Sequence, residues 1–212
     1  DVSDKISEKQ FERFPIRRII IPNSIQCIET KAFNECSSLI EIEIPVSVKL
    51  ICAHSFSGCS NLHKIKIDPY STEIQDGAFD KCILLNEIII SSSKERSIIT
   101  PYKLNEYFER IGQITSLSFS SNIEKIESRA FSKCTSLREI IIPKSVKFIG
   151  ERCFEGCIKI NKITIDPFCT EITPNSFDGS LFSEIVIMSN KTEQQEQHCK
   201  TRLKTDEKTE TK

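Results

Sequence analysis

The chain has 212 residues and a formal net charge of −1, with 29 Lys and Arg against 30 Asp and Glu. That balance leaves no basic stripe and argues against a nucleic-acid partner. No apolar run approaches the ~18 residues of a membrane helix, so no membrane insertion is expected.

The chain opens at Asp1 with no initiator Met and no secretory leader. It is expected to be a fragment or a processed form, so the missing leader says little about compartment. Residues 1–18 read as part of an irregular repeat, because Phe11-Glu12-Arg13 matches Phe108-Glu109-Arg110. Isoleucine then dominates the apolar set, and Trp is absent. β-Branched residues suit strands, and few of these Ile fall on a helical period.

From Ile19 onward the pattern Phe-x-x-Cys-x-x-Leu-x-x-Ile-x-Ile returns every 23 residues. Its copies begin Phe33-Cys36, Phe56-Cys59 and Phe79-Cys82, then resume as Phe131-Cys134 and Phe154-Cys157. A weaker copy has Phe177 and Ser180. A fixed period of this size predicts a solenoid of stacked coils. About seven to eight coils of 23 residues fit within 19–187.

Each coil reads the same way. Ile19, Ile42, Ile65, Ile88, Leu117, Ile140, Ile163 and Ile185 start a short strand, and a second apolar residue follows two positions on. That in-out-in alternation marks one buried face. Pro22, Pro45, Pro143, Asp68-Pro69 or Asp166-Pro167 then stops the strand, since proline removes a ladder donor. A returning arm carries a second inward pair, such as Val48 with Ile51 or Val146 with Ile149. A small residue beside Phe, as in Ala32-Phe33 and Ala130-Phe131, predicts a tight bend with the ring in the core. Stacking turns each position into a column. The Phe residues at 33, 56, 79, 131, 154 and 177 form the expected core column, and Cys36, Cys59, Cys82, Cys134 and Cys157 form another.

Two columns face outward on the strand. The first is Arg18, Glu41, Lys64, Glu87, Ser116, Glu139, Lys162, Glu184. Its signs alternate, so opposite charges become lateral neighbours in a parallel stack. It reads as a solvated charge ladder worth ~0–1 kcal/mol per pair. The second is Ile20, Glu43, Lys66, Ile89, Ser118, Ile141, Thr164, Val186. An exposed aliphatic strip is unusual on a sheet face and is the candidate ligand-binding column. Ordinary strand propensity is the competing explanation.

The coils also group at a higher level. Ile19 and Leu117, Ile42 and Ile140, and Ile65 and Ile163 all stand 98 residues apart. Two blocks of regular repeats are therefore expected, joined by an irregular coil over 88–116. Residues 189–212 are almost all polar and are expected to be a disordered tail. The Asn190-Lys191-Thr192 sequon there is an acceptor only in a secreted protein.

Ten Cys invite a metal or disulfide reading, but five share one repeat position and only three His are present. No Cys-x-x-Cys pair occurs. Reduced structural thiols are expected, bonding weakly to the exposed backbone of the bend. No metal site and no cofactor are expected. Cys199, in the tail, is the candidate reactive thiol. The six Gly are scattered, with no phosphate-cradling loop and no nucleophile–base pair, so no catalytic residue is assigned and an enzyme is not expected.

The segments 32–45 and 130–143, with Ala-Phe ahead of Cys-x-x-Leu-x-x-Ile-x-Ile-Pro, resemble a leucine-rich repeat. More narrowly they resemble the BspA-like subclass, or Treponema-type repeat, over roughly 19–187. Ser180 in place of Cys, the shortened last repeat and the coil from Ile88 depart from it. The resemblance implies a leucine-rich repeat solenoid with a parallel β-sheet on the concave face and a mostly irregular or short-turn convex side. It also implies a surface antigen used in cell adhesion, binding a protein ligand such as a host extracellular-matrix protein. A structural spacer or stalk and an intracellular scaffold are the alternatives. Reduced Cys columns fit a cytoplasmic location at least as well as the cell surface.

Overall fold

The computed structural model describes residues 4–92, 98–100, 113–166, 170–180 and 183–187. Phe108, Ile111, Cys169, the Asn190 sequon, Cys199 and the polar tail lie outside the described residues. The chain divides into two compact units. The first comprises Asp1–Glu95 with Glu106–Ile114, and the second Arg96–Asn105 with Thr115–Lys212.

The first unit is a solenoid with two parallel ladders. Strands β2 (Arg18–Ile19), β4 (Glu41–Glu43), β6 (Lys64–Ile67) and β8 (Glu87–Ile90) form the main sheet. Strands β1 (Lys5–Ile6), β3 (Cys27–Ile28), β5 (Leu50–Ile51) and β7 (Glu73–Ile74) form a second one. The second unit repeats the plan. Its main sheet is β10 (Ser116–Phe119), β12 (Glu139–Ile141), β14 (Lys162–Ile165) and β16 (Glu184–Ile187). Its second ladder is β9 (Ile98–Ile99), β11 (Lys125–Ile126), β13 (Phe148–Ile149) and β15 (Glu171–Ile172). Strand β9 (Ile98–Ile99) thus falls in the second unit. Among the described residues there is no helix.

The register is the one the repeat implies. Ile42 lies beside Ile65 and Ile65 beside Ile88, while Ile140 lies beside Ile163 and Ile163 beside Ile185. A shift of one residue would turn the whole apolar set outward, so burial of one face fixes this pairing. The inward pair of the returning arm is buried in both units, at Val48 and Ile51 and at Val146 and Ile149. That arm is more than a return: its two-residue strands pair into a hydrogen-bonded ladder.

The third side of each coil is the bend at Phe. The rings stack face to face in parallel columns. Phe33 and Phe56 have centroids 5.2 Å apart, and Phe56 and Phe79 5.3 Å. Phe131 and Phe154 are 5.3 Å apart, and Phe154 and Phe177 5.0 Å. Phe11 joins the first column, 5.3 Å from Phe33 and 6° from parallel. Backbone bonds link successive bends: the Phe56 amide donates to Ala78 O, and the Phe154 amide to Ser176 O.

The bend demands unusual backbone. In every described coil the residues two before and two after Phe take positive φ, such as Lys31 and Glu35, His54 and Gly58, or Arg152 and Gly156. Left-handed backbone costs a residue with Cβ about 1–2 kcal/mol. Four of the glycines that look scattered in the sequence share these positions in the fold. Gly58, Gly77, Gly156 and Gly179 all occupy these two columns.

Candidate binding faces

Strand alternation decides what each sheet presents. In β4, Ile42 points inward and is buried, while Glu41 and Glu43 are exposed. The same logic places both outward columns of the sequence on the sheet face. In the first unit the charge ladder pairs Arg18 with Glu41, Glu41 with Lys64, and Lys64 with Glu87. Lys64 Nζ lies 2.8 Å from Glu87. In the second unit Glu139, Lys162 and Glu184 are successive neighbours, and Lys162 Nζ lies 3.1 Å from Glu139. The hydrogen bond and charge of Glu139, with the charge of Glu184, push the Lys162 ammonium above its ordinary value. These side chains are partly solvated, so each pair contributes only ~0–1 kcal/mol.

The second column differs between the units. In the first, Lys66 stands between Glu43 and Ile89, and Lys66 Nζ lies 2.6 Å from Glu43 Oε1. Ile20 follows Ile19 at the edge and is 83% exposed. Ile20, Glu43, Lys66 and Ile89 line one shallow groove of about 420 Å³. Arg18, Glu41 and Lys64 of the charge ladder border it too. In the second unit Ser118, Ile141, Thr164 and Val186 are lateral neighbours in register. Ile141 there is 37% exposed. Each set of four is thus brought together within its own unit.

Sequence reasoning missed Asn23 and Pro45 as groove residues. Both sit in the turn just past a strand, where the period-two rule stops applying. It also missed a second groove in the first unit, of about 360 Å³, lined by Arg17, Ser38, Ile40, Asn61, His63 and Leu84. The signal was available, since Arg17, Ile40 and His63 share one repeat position.

The Cys column does backbone work. The Cys59 thiol donates to Phe33 O at 3.3 Å, Cys82 to Phe56 O at 3.1 Å, and Cys157 to Phe131 O at 3.1 Å. Cys36 donates to Phe11 O at 3.0 Å. Each thiol thereby bonds a carbonyl of the preceding bend. Burial pushes the Cys36 thiol up to about 11, and Cys134 and Cys157 up to about 12. The neighbouring Cys82 thiol and burial raise Cys59 as well. Thiols held protonated are poor nucleophiles.

The Asp-Pro coil is a built variant. The buried Asp68 carboxylate accepts from the Tyr70 amide at 2.9 Å and the Ser71 hydroxyl at 2.8 Å. The Thr72 hydroxyl donates to Val48 O at 2.8 Å, and Thr170 does the same to Val146 O at 2.7 Å. Among the described residues, no group of three or more His, Cys, Asp or Glu is placed to hold a metal ion. No described helix is long and apolar enough to cross a membrane.

The chain matches the family described as BspA type leucine rich repeat region, in six copies over residues 4–100 and 104–205. It is similar to a leucine-rich repeat protein from Bacteroides ovatus, at 28% identity over 76% of this chain and 39% of that one, with a TM-score of 0.43. It is similar to a leucine-rich repeat protein of T. pallidum, at 23% identity over 78% of this chain and 64% of that one, with a TM-score of 0.30. It is also similar to a leucine-rich cell surface protein of Faecalibacterium prausnitzii, at 14% identity over 91% and 84% of the two chains, with a TM-score of 0.36. The chain therefore spans 39% of the Bacteroides protein and under two thirds of the Treponema protein. Comparison with curated proteins gave no significant match. With stacked parallel ladders, a Phe column and a Cys column repeated every 23 residues, and a family match across both units, the chain belongs to the BspA type leucine-rich repeat family.

Proposed function

We propose that this chain is a non-enzymatic protein-binding module, and that it binds through the outward faces of its main sheets. The observation that carries the reading is the groove of the first unit. There Ile20 is 83% exposed and shares a shallow concavity with Ile89 and the Glu43–Lys66 pair. Solvated aliphatic side chains beside a fixed ion pair combine area to bury with polar groups that set orientation. Family membership and the surface location named for the Faecalibacterium protein support a role at the cell surface, in adhesion or in binding a host protein.

The test is binding of the folded chain to a panel of purified extracellular-matrix proteins. The double variant Ile89→Glu with Ile141→Glu is measured beside it. Binding by the native chain that falls at least tenfold in the variant, with circular dichroism unchanged, supports the reading. Equal affinity of the two would remove the sheet faces from the account. No binding by the native chain to any of the panel would favour a passive spacer.

A further inference from the structure

The column thiols each face a carbonyl, but one pair of cysteines faces itself. Cys27 lies in β3 and Cys52 directly follows β5. Both are half-buried on the outer side of the second ladder of the first unit. Their sulfurs are 3.9 Å apart. The ladder holds them there: Cys27 lies beside Leu50, Ile28 lies beside Ile51, and the Cys52 amide donates to Ile28 O at 2.9 Å. Lys5 and Glu29, themselves 3.5 Å apart, are the charged groups around the pair. At the equivalent positions 98 residues on, the second unit has Lys125 and Gly150 instead. Core packing alone therefore does not require thiols at these places.

We propose that Cys27 and Cys52 form a reversible disulfide that clamps two successive coils of the first unit. A disulfide needs the sulfurs at about 2.05 Å, a closure that side-chain torsions must supply while β3 and β5 stay paired. The oxidant is a low-molecular-weight disulfide such as oxidised glutathione. One protein thiolate attacks a glutathione sulfur, forming a mixed disulfide and expelling one glutathione thiolate. The second protein thiolate then attacks the protein-side sulfur, forming the Cys27–Cys52 bond and expelling the second glutathione. Two protein thiols are oxidised, one glutathione disulfide is reduced, and the two protons end on the released thiols. Burial and the Cys27 thiol push the Cys52 thiol up to about 11, so the exchange runs faster in mildly alkaline buffer. The bond closes one full coil and restricts the unfolded chain.

The test uses the whole chain incubated with oxidised glutathione, with remaining thiols then alkylated under denaturing conditions and peptides mapped by mass spectrometry. The expected result is one cross-linked species joining Cys27 to Cys52, reversed by reductant, with a higher melting temperature than the reduced chain. Both effects are lost in Cys27→Ser and in Cys52→Ser, two near-isosteric changes whose folding is checked by circular dichroism. Full alkylation of Cys27 and Cys52 after oxidation would overturn the proposal. So would linkage of either to another cysteine, or an unchanged melting temperature in the cross-linked chain.

Discussion

Ile42 and Ile140 stand 98 residues apart in equivalent strands, both buried. The residues that follow them do not match: Glu43 in the first unit, Ile141 in the second. One coil on, Ile65 and Ile163 agree while Lys66 and Thr164 differ. The charge ladder is intermediate, keeping Glu41 with Glu139 and Lys64 with Lys162 but exchanging Arg18 for Ser116. Within this chain the two units hold the inward columns nearly constant and let the second outward column vary. Packing against a stacked neighbour restricts a residue at every coil, since a buried position has little free volume to give. A side chain that faces water meets no such restriction. The face that differs between the units is the one we propose as the binding surface.

The largest expected effect is symmetric. Phe56→Ala and Phe154→Ala each remove a ring stacked between two others, and each should destabilise its unit by about 3–5 kcal/mol. Denaturant titration of the two variants checks it. A marked inequality would mean that the Phe columns do not carry equivalent loads.

The next effect is asymmetric. A Cβ at Gly150 would lie 2.2 Å from Ser128 N and 2.6 Å from Glu127 C. Backbone cannot yield as a flexible side chain does, so Gly150→Ala should cost about 1–3 kcal/mol. Cys52→Ala, at the equivalent place, keeps an existing Cβ and should be milder. Thermal unfolding of both variants decides this.

Smaller still is a sign reversal at the residue before Phe. The Ser55 hydroxyl is fully buried and has no hydrogen-bond partner, whereas Ser176 donates to Gly150 O at 3.1 Å. Ala already fills this column at positions 32, 78 and 130. Ser55→Ala should stabilise and Ser176→Ala destabilise, each by about 1 kcal/mol. Paired melting curves showing the same sign would refute the hydrogen-bond account.

The smallest effect concerns the left-handed positions. Lys133 and Glu35 are equivalent, both at positive φ. Lys133→Gly should gain up to about 1 kcal/mol by relieving strain. Glu35→Gly should gain less, because it also removes the bond from Arg13 Nε to Glu35 Oε2 at 2.6 Å. Melting temperatures again provide the comparison.

Much of this architecture was legible in the residues. The 23-residue period placed the Phe and Cys columns, and the alternating charges placed the register. The thiol-to-carbonyl bonds were legible from one small polar residue repeating at one place. The second ladder was not, because strands of two residues, such as Leu50–Ile51, are too short to display a period. The left-handed columns were hidden for another reason. Lys31, Glu35, Arg129 and Lys133 occupy them without the glycine that announces positive φ. The candidate face was readable where it lies on strands, through Glu43, Lys66 and Ile89. Asn23 and Pro45 enter the same groove from turns, where spacing carries no information about direction. The thiol pair Cys27–Cys52 was hidden because the two residues hold different repeat positions, and only pairing of the second ladder brings them together.

The central claim is that the outward faces bind protein while the inward columns only fold it. The most direct measurement is surface plasmon resonance of three versions of the 212-residue chain against the extracellular-matrix panel: native, Ile89→Glu and Ile141→Glu. Each single variant changes one unit's face and leaves both cores intact. The account predicts an unchanged melting temperature in both variants and a loss of affinity of tenfold or more in at least one of them. Native affinity retained in both variants, for a partner that the native chain binds, would contradict it.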